Sequence, residues 1–242
     1  MRHLLVAGAI LPHAPLLLEA VSGPLVARRA AAFLDALPRF ELPAIQALVI
    51  ASPHGPAAGV YAGRRGDLAG FGCPEVTVEA DAAPDLAGEI ARTWHADSLG
   101  SALDHGIVVP LSLGVLPDVP VVAAVVPDAT HGKALADALL QIAERRGTRI
   151  GVVASAHSGA ALTERAPLSL REDAVELEKR FLVELQRDAG AAASFSEDLG
   201  SIGGSCGGGP FTLFGTLFEG RPATLVAYDH PFGVGYIGAT TS

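Results

Sequence analysis

An α/β fold is predicted, a single domain whose central, mostly buried sheet is flanked by helices on both faces. Three observations predict it. Short, almost wholly apolar runs at residues 4–10, 47–51, 119–126 and 148–154 read as buried strands. Segments with helical spacing alternate with them along the whole length. No internal repeat and no Ser/Gly/Pro linker divides the 242 residues, a length that α/β folds reach undivided.

Each element follows in order. Residues 4–10 are apolar and bounded by Pro12, giving a first strand. Residues 27–37 have helical spacing and stop before Pro38. Residues 47–51 (ALVIA) form a second buried strand, ended by Ser52-Pro53-His54-Gly55-Pro56. Residues 75–79 alternate, which predicts a third, half-exposed strand. Pro84 suits a first helical turn, and the pattern runs to about Trp94. Residues 119–126, after the turn residues Pro117-Asp118, are another buried strand. Thr130 is the expected cap of a helix over 132–146, with Gly147 as its stop. Residues 148–154 return to strand. Ser169-x-x-Glu172 has the form of a capping box and opens a helix whose apolar face is Ala174, Leu177, Phe181 and Leu185. Residues 211–218 predict a short helix and 223–228 a last strand. The Gly-rich stretch 200–209 is the one candidate hinge. It reads better as a tight loop around a site, because glycine lets backbone approach a ligand closely.

Half of the residues are apolar and 18% are charged, enough to bury a sizeable core. The formal net charge of -9 repels phosphate backbones, which excludes nucleic acid as a partner class. Arg64-Arg65 and Arg145-Arg146 are isolated pairs, not a basic stripe. No apolar run approaches the ~20 residues that span a bilayer, so no membrane role is expected. Two cysteines far apart, Cys73 and Cys206, suit a reducing compartment and a cytoplasmic location. The N-terminal MRHLLVAGAILPHAPLLLEA has a faint signal-peptide character, but Pro12, His13 and Pro15 interrupt it. A homo-oligomer stays open on sequence grounds.

Two segments share a layout: an apolar strand ending in Pro-His and a small residue, around His13 and around His54. Ligands collect beyond the carboxyl ends of α/β strands, and Pro-flanked turns hold a ring with little entropy left to lose. Read singly, either imidazole is a hydrogen-bonded strand-end residue; read as a pair, they predict a shared metal. Cys206, in Ser205-Cys206-Gly207-Gly208-Gly209-Pro210, is either a thiolate ligand or a small buried residue in a tight turn. His105 follows Asp104 ahead of an apolar run through Leu111; it is either a substrate contact whose tautomer Asp104 fixes, or half of a loop pair. His157 ends the 148–154 strand and has an acid-base or ligand role if that strand is central. His3, His95 and His131 read as surface or helix-end residues. Asp229-His230-Pro231 follows the last predicted strand and is a weaker candidate for the same face. Phe211, Phe214 and Phe232 either line a pocket for an aromatic ring or belong to the core.

At these residues the chain resembles the class III extradiol dioxygenase superfamily, which includes the B subunit of protocatechuate 4,5-dioxygenase, the DOPA 4,5-dioxygenases and the Memo-type proteins. The Pro-His segment at His13 and Ser-Pro-His-Gly at His54 look like the group's two metal-histidine segments. Leu103-Asp104-His105-Gly106 looks like its substrate-side motif. Cys206-Gly207 followed by Pro210, and the ending Val234-Gly235-Tyr236, are similar to the Memo branch. The resemblance implies a mixed sheet and a divalent metal. In the dioxygenases that metal is Fe(II), held by two His and a carboxylate, with positions left for a catechol-like aromatic substrate and O₂. It implies metal ligands at His13, His54 and Cys206 and a catalytic, substrate-side role for His105, while His157 takes the catalytic base role only through a small local shift of the alignment. Two departures stand out. Cys206 replaces the carboxylate, which suits Zn or Cu as well as Fe. Aligned without gaps, the family's catalytic histidine falls on Ala160. The alternative reading is a Memo-like metal protein with a redox, metal-handling or protein-interaction role.

Overall fold

The structure is a computed structural model and describes residues 5–37, 45–55, 57–100 and 102–242. Strand β1 (Leu5–Leu11) is followed by a 3-10 turn (Pro15–Leu17) and short helices α1 (Glu19–Ser22), α2 (Pro24–Ala27) and α3 (Ala31–Ala36). Next come β2 (Ala47–Ser52), β3 (Gly59–Tyr61), β4 (Arg65–Leu68) and β5 (Cys73–Glu79). Helix α4 (Pro84–Trp94), β6 (Asp97–Leu99), β7 (Ala102–Leu103) and α5 (His105–Ser112) lead to β8 (Val121–Val125). Helix α6 (Ala129–Arg146), β9 (Ile150–Ser155), α7 (Glu172–Arg187), α8 (Ala191–Ser194), α9 (Ser196–Ser201), α10 (Gly208–Phe218), β10 (Thr224–Asp229) and β11 (Tyr236–Thr241) complete the chain.

The main sheet is mixed, eight strands in the order β10-β11-β1-β9-β2-β8-β3-β6. Its four central strands, β1, β9, β2 and β8, run parallel. β11 pairs antiparallel with β1, and β3 antiparallel with β8. β2, β8 and β9 are buried from end to end, which is why they read as continuous apolar runs. One face packs Trp94 of α4, Leu135, Leu139 and Ile142 of α6, Phe181 of α7 and Phe211, Phe214 and Phe218 of α10. The other packs Leu17, Phe33 and Leu37 with Ile107 and Val108 of α5 and Tyr236. Among the described residues no helix is long and apolar enough to cross a membrane.

Several local expectations are corrected. The third strand belongs to a separate three-stranded sheet, β5-β4-β7. The 27–37 helix begins as a 3-10 turn over Arg28–Ala30, and Pro38 lies outside the described residues. β8 starts at Val121, directly after Pro120, which has no N–H for a ladder. Asp128, not Thr130, caps α6, accepting from the His131 amide at 3.0 Å. The capping box does not form: Ser169 has φ 59° and the helix opens at Glu172 without a side-chain cap. Glu172 and Asp173 in its first turn supply negative charge there instead. The last strand is β11, not β10.

Candidate metal centre

Three neighbouring parallel strands deliver imidazoles in the same way. His13, His54 and His157 each lie two residues beyond the end of β1, β2 and β9 respectively. β9 stands between the other two, with Leu11 opposite Ser155 and Ala51 opposite Ala154. The rings therefore meet beyond the carboxyl edge, where ligands of such sheets collect. The His13 ring centroid is 4.8 Å from that of His54 and 5.9 Å from that of His157. His105, the first residue of α5, stacks on His54 at 4.3 Å and lies 5.6 Å from His13.

Cys206 arrives from the loop ahead of α10. That loop is pressed against the ends of β8 and β9 so closely that side chains are excluded. A Cβ at Gly207 would sit 2.7 Å from Ala156 Cβ, and one at Gly209 would overlap the Val126 carbonyl. The Ser205 hydroxyl donates to the His157 carbonyl at 2.5 Å and accepts from the Gly207 amide at 2.9 Å, tying the two loops together.

His13 is the hub. Its Nε2 lies 3.1 Å from His54 Nε2 and 3.3 Å from Cys206 Sγ, and all three donor atoms fall within 4.8 Å of one another. An ion at ~2.0 Å from nitrogen and ~2.3 Å from sulfur places tetrahedral N···N pairs at ~3.3 Å and N···S pairs at ~3.6 Å. The two short sides fit that triangle; the widest closes when a ring or the thiol swings inward by about 1 Å.

The tautomer of His13 is set by its neighbours. Its Nδ1 is 3.1 Å from Ser155 Oγ, and Ser155 spends its one proton on the Gly106 carbonyl at 2.5 Å. Ser155 therefore accepts from Nδ1–H, which leaves the Nε2 lone pair facing Cys206 and His54. Gly106 can receive Ser155 because residue 110, four positions on within α5, is proline and has no N–H to offer it.

Burial holds His13 well below its usual pKa, helped by His157, His54 and His105. Burial also lowers His54, against the pull of Asp104, and lowers His105. His157 is brought down to about 4, first by burial and then by His54. Burial pushes the Cys206 thiol up to about 11. The pocket thus presents four neutral imidazoles and a thiol whose proton a cation would displace. His157 Nδ1 is buried without a hydrogen-bond partner among the described residues.

The remaining candidates fall elsewhere. Asp104 does not orient His105. Its oxygens accept from Ser52 Oγ (2.7 Å), Tyr61 OH (2.8 Å) and the Gly106 amide (2.6 Å), capping α5. Ala160 is buried, its amide and carbonyl bonded to Gly203 and Leu168, so the imidazole brought to the centre is His157. Phe211 and Phe214 are core, and Phe232 lies under Arg29. Phe71, which sequence reasoning passed over, packs edge-on to His105 at 5.1 Å. His95 ends α4, His131 bonds Asp128, and His230 follows edge strand β10; His3 lies outside the described residues. Cys73 and Cys206 are both free thiols.

No family model and no curated protein matches this chain. The crystal structure of uncharacterized protein JW3007 from Escherichia coli K12 aligns with a TM-score of 0.59 at 17% identity, covering 98% of this chain and 99% of that one. Over nearly its whole length, then, the chain is similar in fold to that protein.

Proposed function

We propose that this chain is a metal-binding protein of the extradiol-dioxygenase type, in which His13, His54 and Cys206 hold one divalent cation. The observation that carries the reading is the hub at His13. His13 Nε2, left unprotonated because Nδ1–H donates to Ser155, faces a second imidazole nitrogen at 3.1 Å and a thiol at 3.3 Å. Donors packed this closely share either a proton or a cation, and the preset lone pair favours the cation.

Fe(II) is the ion the resemblance implies; bound there it would supply coordination positions for a catecholate and O₂. The chain's own residues suit a small aromatic substrate. His105, stacked on His54 and flanked by half-exposed Phe71, offers a planar wall and a hydrogen-bonding ring. His157 is neutral and its ring lies 5.9 Å from that of His13, which suits it to accept and return a substrate proton.

Cys206 favours a second reading, a Zn or Cu protein with a redox, metal-handling or protein-interaction role, because a His₂Cys set suits those ions and a thiolate beside O₂ is open to oxidation. Metal analysis of protein purified without chelators, with His13→Ala as control, tests metal binding; full occupancy in His13→Ala would sink it. Aerobic assay of the Fe(II)-loaded protein on a catechol panel separates the two readings, a coloured ring-opened product supporting the first.

A further inference from the structure

A cavity of about 310 Å³ lies at the edge of the main sheet, and none of the five residues of the metal centre lines it. Helix α4 presents only small side chains to it, Pro84, Ala87 and Ala91, opposite Ala123 of β8 and Leu103. Protein interiors are otherwise close-packed, and pockets for small ligands begin at roughly 300 Å³. The lining is apolar, so an occupant must have an apolar body. Besides Tyr61, the polar side chains at the cavity are Ser98 and Arg64, whose guanidinium also pairs with Glu79 at 2.8 Å; both are exposed and mark its mouth.

Tyr61 forms part of the wall and connects it to the centre. Its hydroxyl donates to Asp104 Oδ2 at 2.8 Å, and Asp104 Oδ1 accepts from Ser52 Oγ at 2.7 Å. Ser52 Oγ in turn accepts from the His54 amide at 3.1 Å. Asp104 also immediately precedes His105. The cavity wall and the loop that presents His54 are thus parts of one hydrogen-bonded unit.

We infer that this cavity is a second small-molecule site. It takes a monocyclic apolar molecule with one anionic or hydrogen-bonding substituent at the mouth, and its occupant tightens metal binding by fixing Tyr61, Asp104 and Ser52. The coupling rests on the metal reading above; the binding does not. Phenylacetate is a suitable probe, titrated by calorimetry into chelator-treated full-length protein and into Ala87→Leu and Ala91→Leu, which fill the space and keep good helix formers on α4. Binding weakened by about tenfold or more in a folded filling variant is expected. Equal affinity in wild type and both folded variants, or no binding to wild type, overturns the site. Zn affinity is then measured by chelator competition with and without phenylacetate. The expected gain is about fivefold in wild type and absent in Tyr61→Phe measured at a phenylacetate concentration that saturates that variant by calorimetry. Probe binding that leaves Zn affinity unchanged in wild type overturns the coupling. Failure to bind Zn at all defeats the metal reading, and with it the coupling, while the calorimetry still decides the cavity.

Discussion

Ser155 accepts a hydrogen bond from His13 Nδ1 at 3.1 Å because its own proton is committed to Gly106. A ligand's outer partner of this kind typically contributes 10- to 100-fold in metal affinity. Ser155→Ala is therefore expected to weaken Zn or Fe(II) binding by about that factor while the protein stays folded. Chelator competition alongside circular dichroism checks it, and unchanged affinity would mean that the tautomer is set some other way.

Pro110 carries a prediction of opposite sign for stability. Pro110→Ala supplies an N–H to the Gly106 carbonyl and competes with Ser155 for it. Helix α5 should become more stable and the metal site weaker, on the order of tenfold. A rise in Tm together with a loss of affinity is the expected pair. Both quantities falling together would point to a packing role for the ring instead.

Cys206 makes metal binding depend on pH. Burial raises the thiol to about 11, so throughout the neutral range the metal-free protein holds a proton that the cation must displace. The imidazoles, all lowered, release none there. Affinity should rise by about tenfold per pH unit between about pH 7 and 9. In Cys206→Asp that slope should flatten. A flat wild-type profile would remove the thiolate from the ligand set.

Glu178 gives a stability signature. It is buried against Ser158 and Tyr228, and burial raises its carboxyl from 4.5 to about 7. A carboxyl raised in the folded state contributes stability that is whole below about 4.5 and is lost as pH climbs to about 7. Glu178→Gln escapes that loss. Its stability advantage over wild type should grow from about pH 5 to pH 7, by on the order of 2 kcal/mol, with a parallel rise in its Tm advantage, and then level off. Parallel Tm-against-pH curves for the two proteins would refute it.

His157 separates stability from function. Its buried, unpartnered Nδ1 is a liability to the fold, so His157→Leu should unfold no earlier than wild type. On the proposed dioxygenase reading, turnover of a catechol by the Fe(II) form should fall by 10²-fold or more, about the contribution of a lost proton-transfer group. Lower Tm with retained turnover would assign the ring to packing.

Much of this was legible in the sequence, and the parts that were not share a cause. β1, β2, β8 and β9 are buried on both faces, so they appear as unbroken apolar runs, and the Pro-His segments ending β1 and β2 mark the ligand edge. β3, β6 and β7 are two or three residues long, and β11 reads YIGATT, so they carry too little pattern to identify. Helix α5 hides its period because five consecutive residues, Gly106 to Pro110, are all buried. Ser155, Pro110 and Tyr61 were missed because their roles lie in bonds to residues distant in sequence, as in the Ser155–Gly106 and Tyr61–Asp104 pairs, which no local spacing encodes.

The delivery of donors from separate strand ends has a consequence for assembly. His13 and His54 are 41 positions apart, and His13 and Cys206 are 193 apart. An unfolded chain therefore offers an ion no chelating cluster, unlike short-spaced zinc modules that fold around their metal. The sheet must form first. On the proposed metal reading, loading then stabilises the finished molecule by mass action, so apoprotein should be a folded species and chelation should lower the melting temperature without unfolding the protein at room temperature.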